Sequence, residues 1–66
     1  MKKIKFTFHG FTFIHEVADR PEVWFGLKDR DGIWKECLYI KKDKKVFVYG
    51  TDSDFLEEIC SAKIVA

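Results

Sequence analysis

Residues 4–17 read IKFTFHGFTFIHEV, and this stretch decides the fold class. Ile4, Phe6 and Phe8 alternate with Lys5 and Thr7, the two-residue period of a strand with one buried face. Phe11, Phe13 and Val17 continue the pattern with opposite parity. His9 and Gly10 separate the two runs, and a two-residue turn there accounts for the change of parity. The resulting hairpin sets Phe8 opposite Phe11, Phe6 opposite Phe13 and Ile4 opposite His15. On its other face Thr7 meets Thr12 and Lys3 meets Glu16, both favourable cross-strand pairs. A bulge at Gly10 within one long strand would also flip parity, but sensible pairing on both faces favours the hairpin.

Further along, the chain continues in strands. A polar loop, Asp19-Arg20-Pro21-Glu22, holds the only proline. Residues 23–28 form a third strand. Asp29-Arg30-Asp31-Gly32 is a turn, with Asp at its first position and Gly where a positive φ is required. Residues 33–41 form a fourth strand, a lysine-rich turn surrounds Asp43, and residues 46–49 form a fifth. Phe, Val, Ile, Trp and Tyr enrich all of them, as a pleated, half-buried surface demands.

After Gly50 the pattern changes. Thr51, Asp52 and Ser53 suit an N-cap, and Asp54, Glu57 and Glu58 suit the positive end of a helix dipole. Phe55, Leu56, Ile59, Cys60 and Ile64 share one face at helical spacing. This predicts a helix over residues 52–62, with residues 63–66 extending it or adding a short strand. The expected fold is α+β, mainly β: a five-stranded antiparallel meander, open or small and barrel-like, with one C-terminal helix on its curled face. The expected core joins Phe6, Phe8, Phe11 and Phe13 to Phe47, Phe55 and Ile59.

With 66 residues, the chain is read as a single small β-rich domain, residues 1–66. So short a chain buries only about 60% of the surface it exposes when unfolded. Seven Phe, two Trp and two Tyr compensate with large apolar area per side chain. Twelve basic and eleven acidic residues give a net charge of +1, so no global field draws the protein to nucleic acid or membrane. No stretch approaches the ~20 apolar residues of a membrane helix. No continuous apolar run follows Met1-Lys2-Lys3, as a secretory signal would need. The chain is therefore expected in the cytosol, with Cys37 and Cys60 reduced and packed as small hydrophobes.

Catalytic and cofactor chemistry finds little support, and no cofactor is expected. Structural zinc sites take ligands in close pairs, whereas Cys37 and Cys60 are far apart in sequence. His9 and His15, at about 3.3 Å per residue along a strand, lie roughly 20 Å apart. Neither cysteine opens a helix or adjoins a tight basic cluster that would activate it, alone or with His15. The four glycines are isolated, so there is no phosphate-cradling loop. Asp29-x-Asp31-Gly32 lacks the further ligands and distal Glu of a calcium loop.

Binding functions remain. Consecutive large residues on strands three and four, Trp24-Phe25 and Leu38-Tyr39, put apolar groups on both faces. A sheet packed on one side exposes one member of each pair. Trp24, Trp34 and Tyr39 are the expected anchors for another protein, with Arg30, Lys35 and Glu36 as a polar rim. A homodimer through a sheet edge or the same aromatics is the competing account of that patch. The alternative function is single-stranded nucleic-acid binding, with aromatics stacking on bases beside Lys41, Lys42, Lys44 and Lys45. Near-neutral charge and only two arginines weigh against it. In size and style the chain resembles the short bacterial or bacteriophage products that bind one host protein and act as inhibitor or regulator. That resemblance carries no residue correspondence.

Overall fold

A computed structural model describes residues 1–50 and 55–65. Seven strands are present among them: β1 (Lys2–Phe8), β2 (Phe11–Val17), β3 (Glu22–Lys28), β4 (Trp34–Ile40), β5 (Lys45–Tyr49), β6 (Leu56–Ser61) and β7 (Lys63–Ile64). They form two antiparallel sheets, ordered β2-β1-β7 and β3-β4-β5-β6.

The β1–β2 hairpin has the register its sequence predicts, including Phe8 opposite Phe11, Thr7 opposite Thr12 and Ile4 opposite His15. His9 and Gly10 both take positive φ, 52° and 80°, the backbone that a two-residue turn matched to strand twist requires. Gly32, at φ 80°, fills the same need in the β3–β4 turn. There Asp29 Oδ1 accepts hydrogen bonds of 2.9 Å from the amides of both Asp31 and Ile33.

Two features correct the sequence reading. The five strands are not one meander, because the β1–β2 hairpin leaves the other three and β1 takes β7 as its second neighbour instead. The C-terminal helix is also absent from the described residues: residues 56–61 are a strand on β5, and residues 63–64 a strand on β1. The capping roles assigned to Thr51, Asp52, Ser53 and Asp54 lie outside the described residues.

The misreading has a local cause. Between β5 and β6 the register shifts after Val48, which faces Glu58, so that Tyr49 faces Leu56. Glu57 is the extra residue of a β-bulge, and a bulge breaks the period of two. Leu56 and Ile59 consequently point to the same side although three residues apart. Three is also a helical spacing, and the acidic residues between them completed the imitation.

The chain passes from one sheet to the other within two residues. The Ala62 amide donates to the Lys44 carbonyl at 2.9 Å, beside β5. Lys63 and Ile64 then pair with Lys5 and Ile4, and the Val65 amide donates to the Lys3 carbonyl at 2.9 Å. Ala62 is buried at this corner, where its small side chain lets the two sheets meet.

The core lies between the sheets. Ile4, Phe6, Phe8 and Val17 enter from one, and Val23, Leu27, Cys37, Tyr39, Val46, Val48 and Cys60 from the other. Phe13 and Phe25 pack at its margin. Phe6 stacks on Phe13 at 5.6 Å between ring centroids, and His15 on Phe25 at 4.3 Å. Of the expected core, Phe6 and Phe8 are buried and Phe13 is half-buried. Phe11, Phe55 and Ile59 are exposed, and Phe47 is half-buried on the opposite side of its sheet. Phe11 closes the hairpin beyond the edge of the core, and its ring lies under the Arg30 guanidinium at 5.2 Å.

Candidate functional site

Strand alternation gives the four-stranded sheet a second face, turned away from the core. Its rows follow from the register. Trp24 pairs with Leu38, Leu38 with Phe47, and Phe47 with Ile59, so one row of apolar residues crosses all four strands. On one side of that row lie Gly26, Glu36, Tyr49 and Leu56; on the other lie Glu22, Ile40, Lys45 and Ser61.

Aromatic side chains thicken this layer. Trp24 leans on Tyr49, with ring centroids 5.6 Å apart. Trp34 lies over Gly26, where an added Cβ would stand 3.5 Å from its ring. The Lys28 ammonium sits 5.8 Å from the Trp34 ring centroid, within cation–π range. Trp24 and Trp34 remain 53% and 62% exposed, Ile59 49% and Leu56 41%. Soluble monomers rarely present contiguous apolar patches beyond a few hundred Å², and this one spans a whole sheet face.

Of the residues singled out from sequence, Trp24, Trp34 and Glu36 meet on this face. Tyr39 does not: its parity on β4 turns it inward, and it is 3% exposed. Arg30 lies away from the face, over Phe11 on the hairpin. Lys35 is a structural residue and not a rim. Its ammonium lies 3.0 Å from the Glu57 carboxylate and 3.8 Å from Asp29, tying the β3–β4 turn to the β6 bulge. The Glu57 hydrogen bond outweighs burial and raises the Lys35 pKa, and backbone amides, Ile33 first, lower that of Asp29.

Leu38, Ile40, Phe47, Tyr49, Leu56 and Ile59 completed the face without being foreseen. The signal was present in CLYI at residues 37–40 and VFVY at residues 46–49. Four consecutive apolar residues in a strand necessarily place two on each side.

The four lysines of the alternative reading do not converge. Lys41 is tied to Asp19 at 2.6 Å, Lys42 and Lys44 sit in the β4–β5 turn, and Lys45 lies on the aromatic face beside Ile40 and Ser61. A different pair of lysines does meet. Lys5 and Lys63 oppose each other across β1 and β7 and, with Phe6, Thr7 and Ser61, line an open cleft of about 370 Å³. That cleft opens on the three-stranded sheet, and Ser61 at the end of β6 is the one residue it shares with the rows of the aromatic face.

Among the described residues no group of three His, Cys, Asp or Glu side chains could hold a metal ion. Both cysteines are free and buried. They stand on β4 and β6 with β5 between and two residues out of register, about 12 Å apart at the usual strand spacings, too far for a disulfide. Burial pushes the Cys37 thiol up to about 12. Burial, with the nearby Glu58 carboxylate, does the same for Cys60. Thiols so disposed are poor nucleophiles at neutral pH. No helix of the described residues is long and apolar enough to cross a membrane. No known family matches the chain, and neither the curated proteins nor the solved structures contain a match to it.

Proposed function

We propose that this protein is a non-catalytic protein-binding module working through the outer face of the β3-β4-β5-β6 sheet. The apolar row Trp24–Leu38–Phe47–Ile59 carries this reading. The inner faces of the two sheets already supply the core, so folding does not require a second apolar face. Exposing it works against solubility unless something covers it. Trp and Tyr are the residue types that dominate binding energy at protein interfaces, and both stand here. A module of this kind acts as an inhibitor or regulator by occupying a surface on another protein.

The nucleic-acid alternative draws less support. The aromatic face carries Glu22 and Glu36 as well as Lys28 and Lys45, so it offers no positive groove for a phosphate backbone. Lys3, Lys5 and Lys63 lie on the other sheet, where no aromatic ring on the same face could stack on a base.

The test compares proteins captured by the wild-type chain with those captured by Trp24→Ser and Leu38→Ser variants, after cross-linking in cells. An Ile14→Ser variant, altered at an exposed apolar residue of the other sheet, is the control. Partners lost with the first two and kept with the third support the reading. Identical capture by all four chains sinks it.

A further inference from the structure

We infer that the occupant of this face is a second copy of the same chain, packed about a two-fold axis that runs between Leu38 and Phe47. The inference rests on the proposed docking face and adds the identity of its partner.

Charge placement points to a second copy. Glu36 and Lys45 are the only charged residues that the two central strands of this face carry among the described residues. Glu36 stands one row below the Leu38–Phe47 pair on β4, and Lys45 one row above it on β5. They are therefore placed symmetrically about the midpoint of that pair. A two-fold axis through the midpoint, in the plane of contact, lays each Glu36 on the Lys45 of the other copy, twice over. The same operation lays the apolar row on itself, Leu38 against Leu38 and Trp24 near Trp24. An isologous interface must be self-complementary in this manner. The midpoint of this charge pair coincides with the middle of the apolar row, so a single axis satisfies both the charges and the apolar contact.

Geometry and area agree. With strands about 4.8 Å apart and about 3.4 Å of rise per residue, this axis crosses the strands of the two copies at about 40°. Sheets packed face to face settle at roughly 30° in magnitude. A standard interface takes about 800 Å² per partner. Two tryptophans more than half exposed, with Leu56 and Ile59 also exposed, supply the apolar centre of such an interface, and the partly covered residues between them make it continuous. Dimerisation would complete a four-layer sandwich with Trp24 and Trp34 inside it, and any other protein would have to displace one copy to reach the face.

The experiment is a charge exchange read by sedimentation equilibrium of the full chain. Wild type is expected to dimerise at micromolar concentration. Glu36→Lys and Lys45→Glu, each alone, set like charges together twice and should weaken self-association by about tenfold or more, since like-charge juxtaposition is costly at an interface. Mixed in equal amounts, the two variants restore both attractive contacts, so a heterodimer should form at near wild-type affinity. Circular dichroism of each variant shows that it remains folded. A wild type monomeric at hundreds of micromolar, or a mixture no tighter than the single variants, overturns the inference. If the chain is monomeric yet Trp24→Ser still abolishes partner capture in cells, the docking face stands and only its occupant is wrong. If it dimerises and neither Trp24→Ser nor Leu38→Ser affects that, dimerisation uses another surface and this assignment fails.

Discussion

On the three-stranded sheet the outward positions hold Lys3, Lys5 and Thr7 on β1, Thr12, Ile14 and Glu16 on β2, and Lys63 on β7. On the four-stranded sheet they hold Trp24, Leu38, Ile40, Phe47, Tyr49, Leu56 and Ile59, with charges only beside and around them. Both sheets contribute equally legitimate inner faces to one core. The first sheet shows what folding alone demands of a two-layer β-protein: apolar inside, polar outside. The excess on the second is therefore attributable to something other than folding. Its apolar residues are also contiguous in space, whereas Ile14 stands alone among charged and hydroxyl side chains.

The comparison is tested most severely by substituting one residue from each side. Phe8→Ala removes a fully buried ring from the core and should cost about 3–5 kcal/mol. A chain of this size has only about 3–10 kcal/mol in total, at ~0.05–0.15 kcal/mol per residue. Urea titration should show it largely unfolded. Trp24→Ser, measured dilute so that association does not contribute, should stay within about 1 kcal/mol of wild type. If the two variants lost similar stability, the outer face would be part of the core in energetic terms.

A second contrast concerns the thiols, which the inner face keeps from water. At pH 8 the native thiolate fraction should be about a thousandfold below that of the unfolded chain, given values near 12 against an ordinary 9. Iodoacetamide should label the native protein very slowly and the urea-unfolded protein quickly. The same shift is a stability term. The folded chain holds these protons more tightly, so the contribution is complete below about pH 9 and is lost as pH climbs toward 12.

The pH dependence of melting sharpens the picture at the ends of the sheets. Asp29 has a lowered pKa when folded, so its contribution is present above the ordinary carboxylate value of 3.8 and is lost as pH falls below it. Lys35 has a raised one, so its contribution is present below 10.5 and is lost as pH rises beyond that. Melting temperature should therefore be flat through neutrality with a shoulder at each extreme. Asp29→Asn should lower the plateau and blunt the acid shoulder. An unchanged acid limb in that variant would show that other carboxylates govern it.

The smallest effect is expected on the polar outer face. Ile14→Thr, at an exposed residue with high β-propensity retained, should change stability by no more than about 0.5 kcal/mol and leave association untouched. A loss of association would move the docking surface to the other sheet.

The register and turn of the hairpin were legible, though not the exposure of Phe11, because its two faces differ in chemistry and its turn consists of residues that tolerate positive φ. Periodicity, pairing and turn all agreed there, down to the Lys3–Glu16 register. That one member of Trp24-Phe25 and one of Leu38-Tyr39 must face outward was legible, because neighbouring residues in a strand diverge. Tyr39 was misplaced because Leu38-Tyr39 and Trp24-Phe25 each offer two parities, and only tertiary packing chooses between them. In the C-terminal third, one inserted residue at Glu57 turned strand spacing into helical spacing. The division into two sheets was invisible for a different reason. It depends on Ile4 pairing with Ile64, a contact between the two ends of the described chain that no local pattern reports.

That pairing also governs when the protein can mature on the ribosome. The hairpin of residues 2–17 is made first, and such a hairpin closes within about 1–10 μs of becoming free. Its third strand, residues 63–64, is translated well after it, and at roughly 5–20 residues per second the wait is several seconds. Throughout that interval Phe6 and Phe8 are displayed on a two-stranded ribbon with an open edge on β1, the kind of surface that chaperones bind and that neighbouring nascent chains can pair with. Codon speed and chaperone supply while residues 18–64 are made should therefore matter to the yield of this fold.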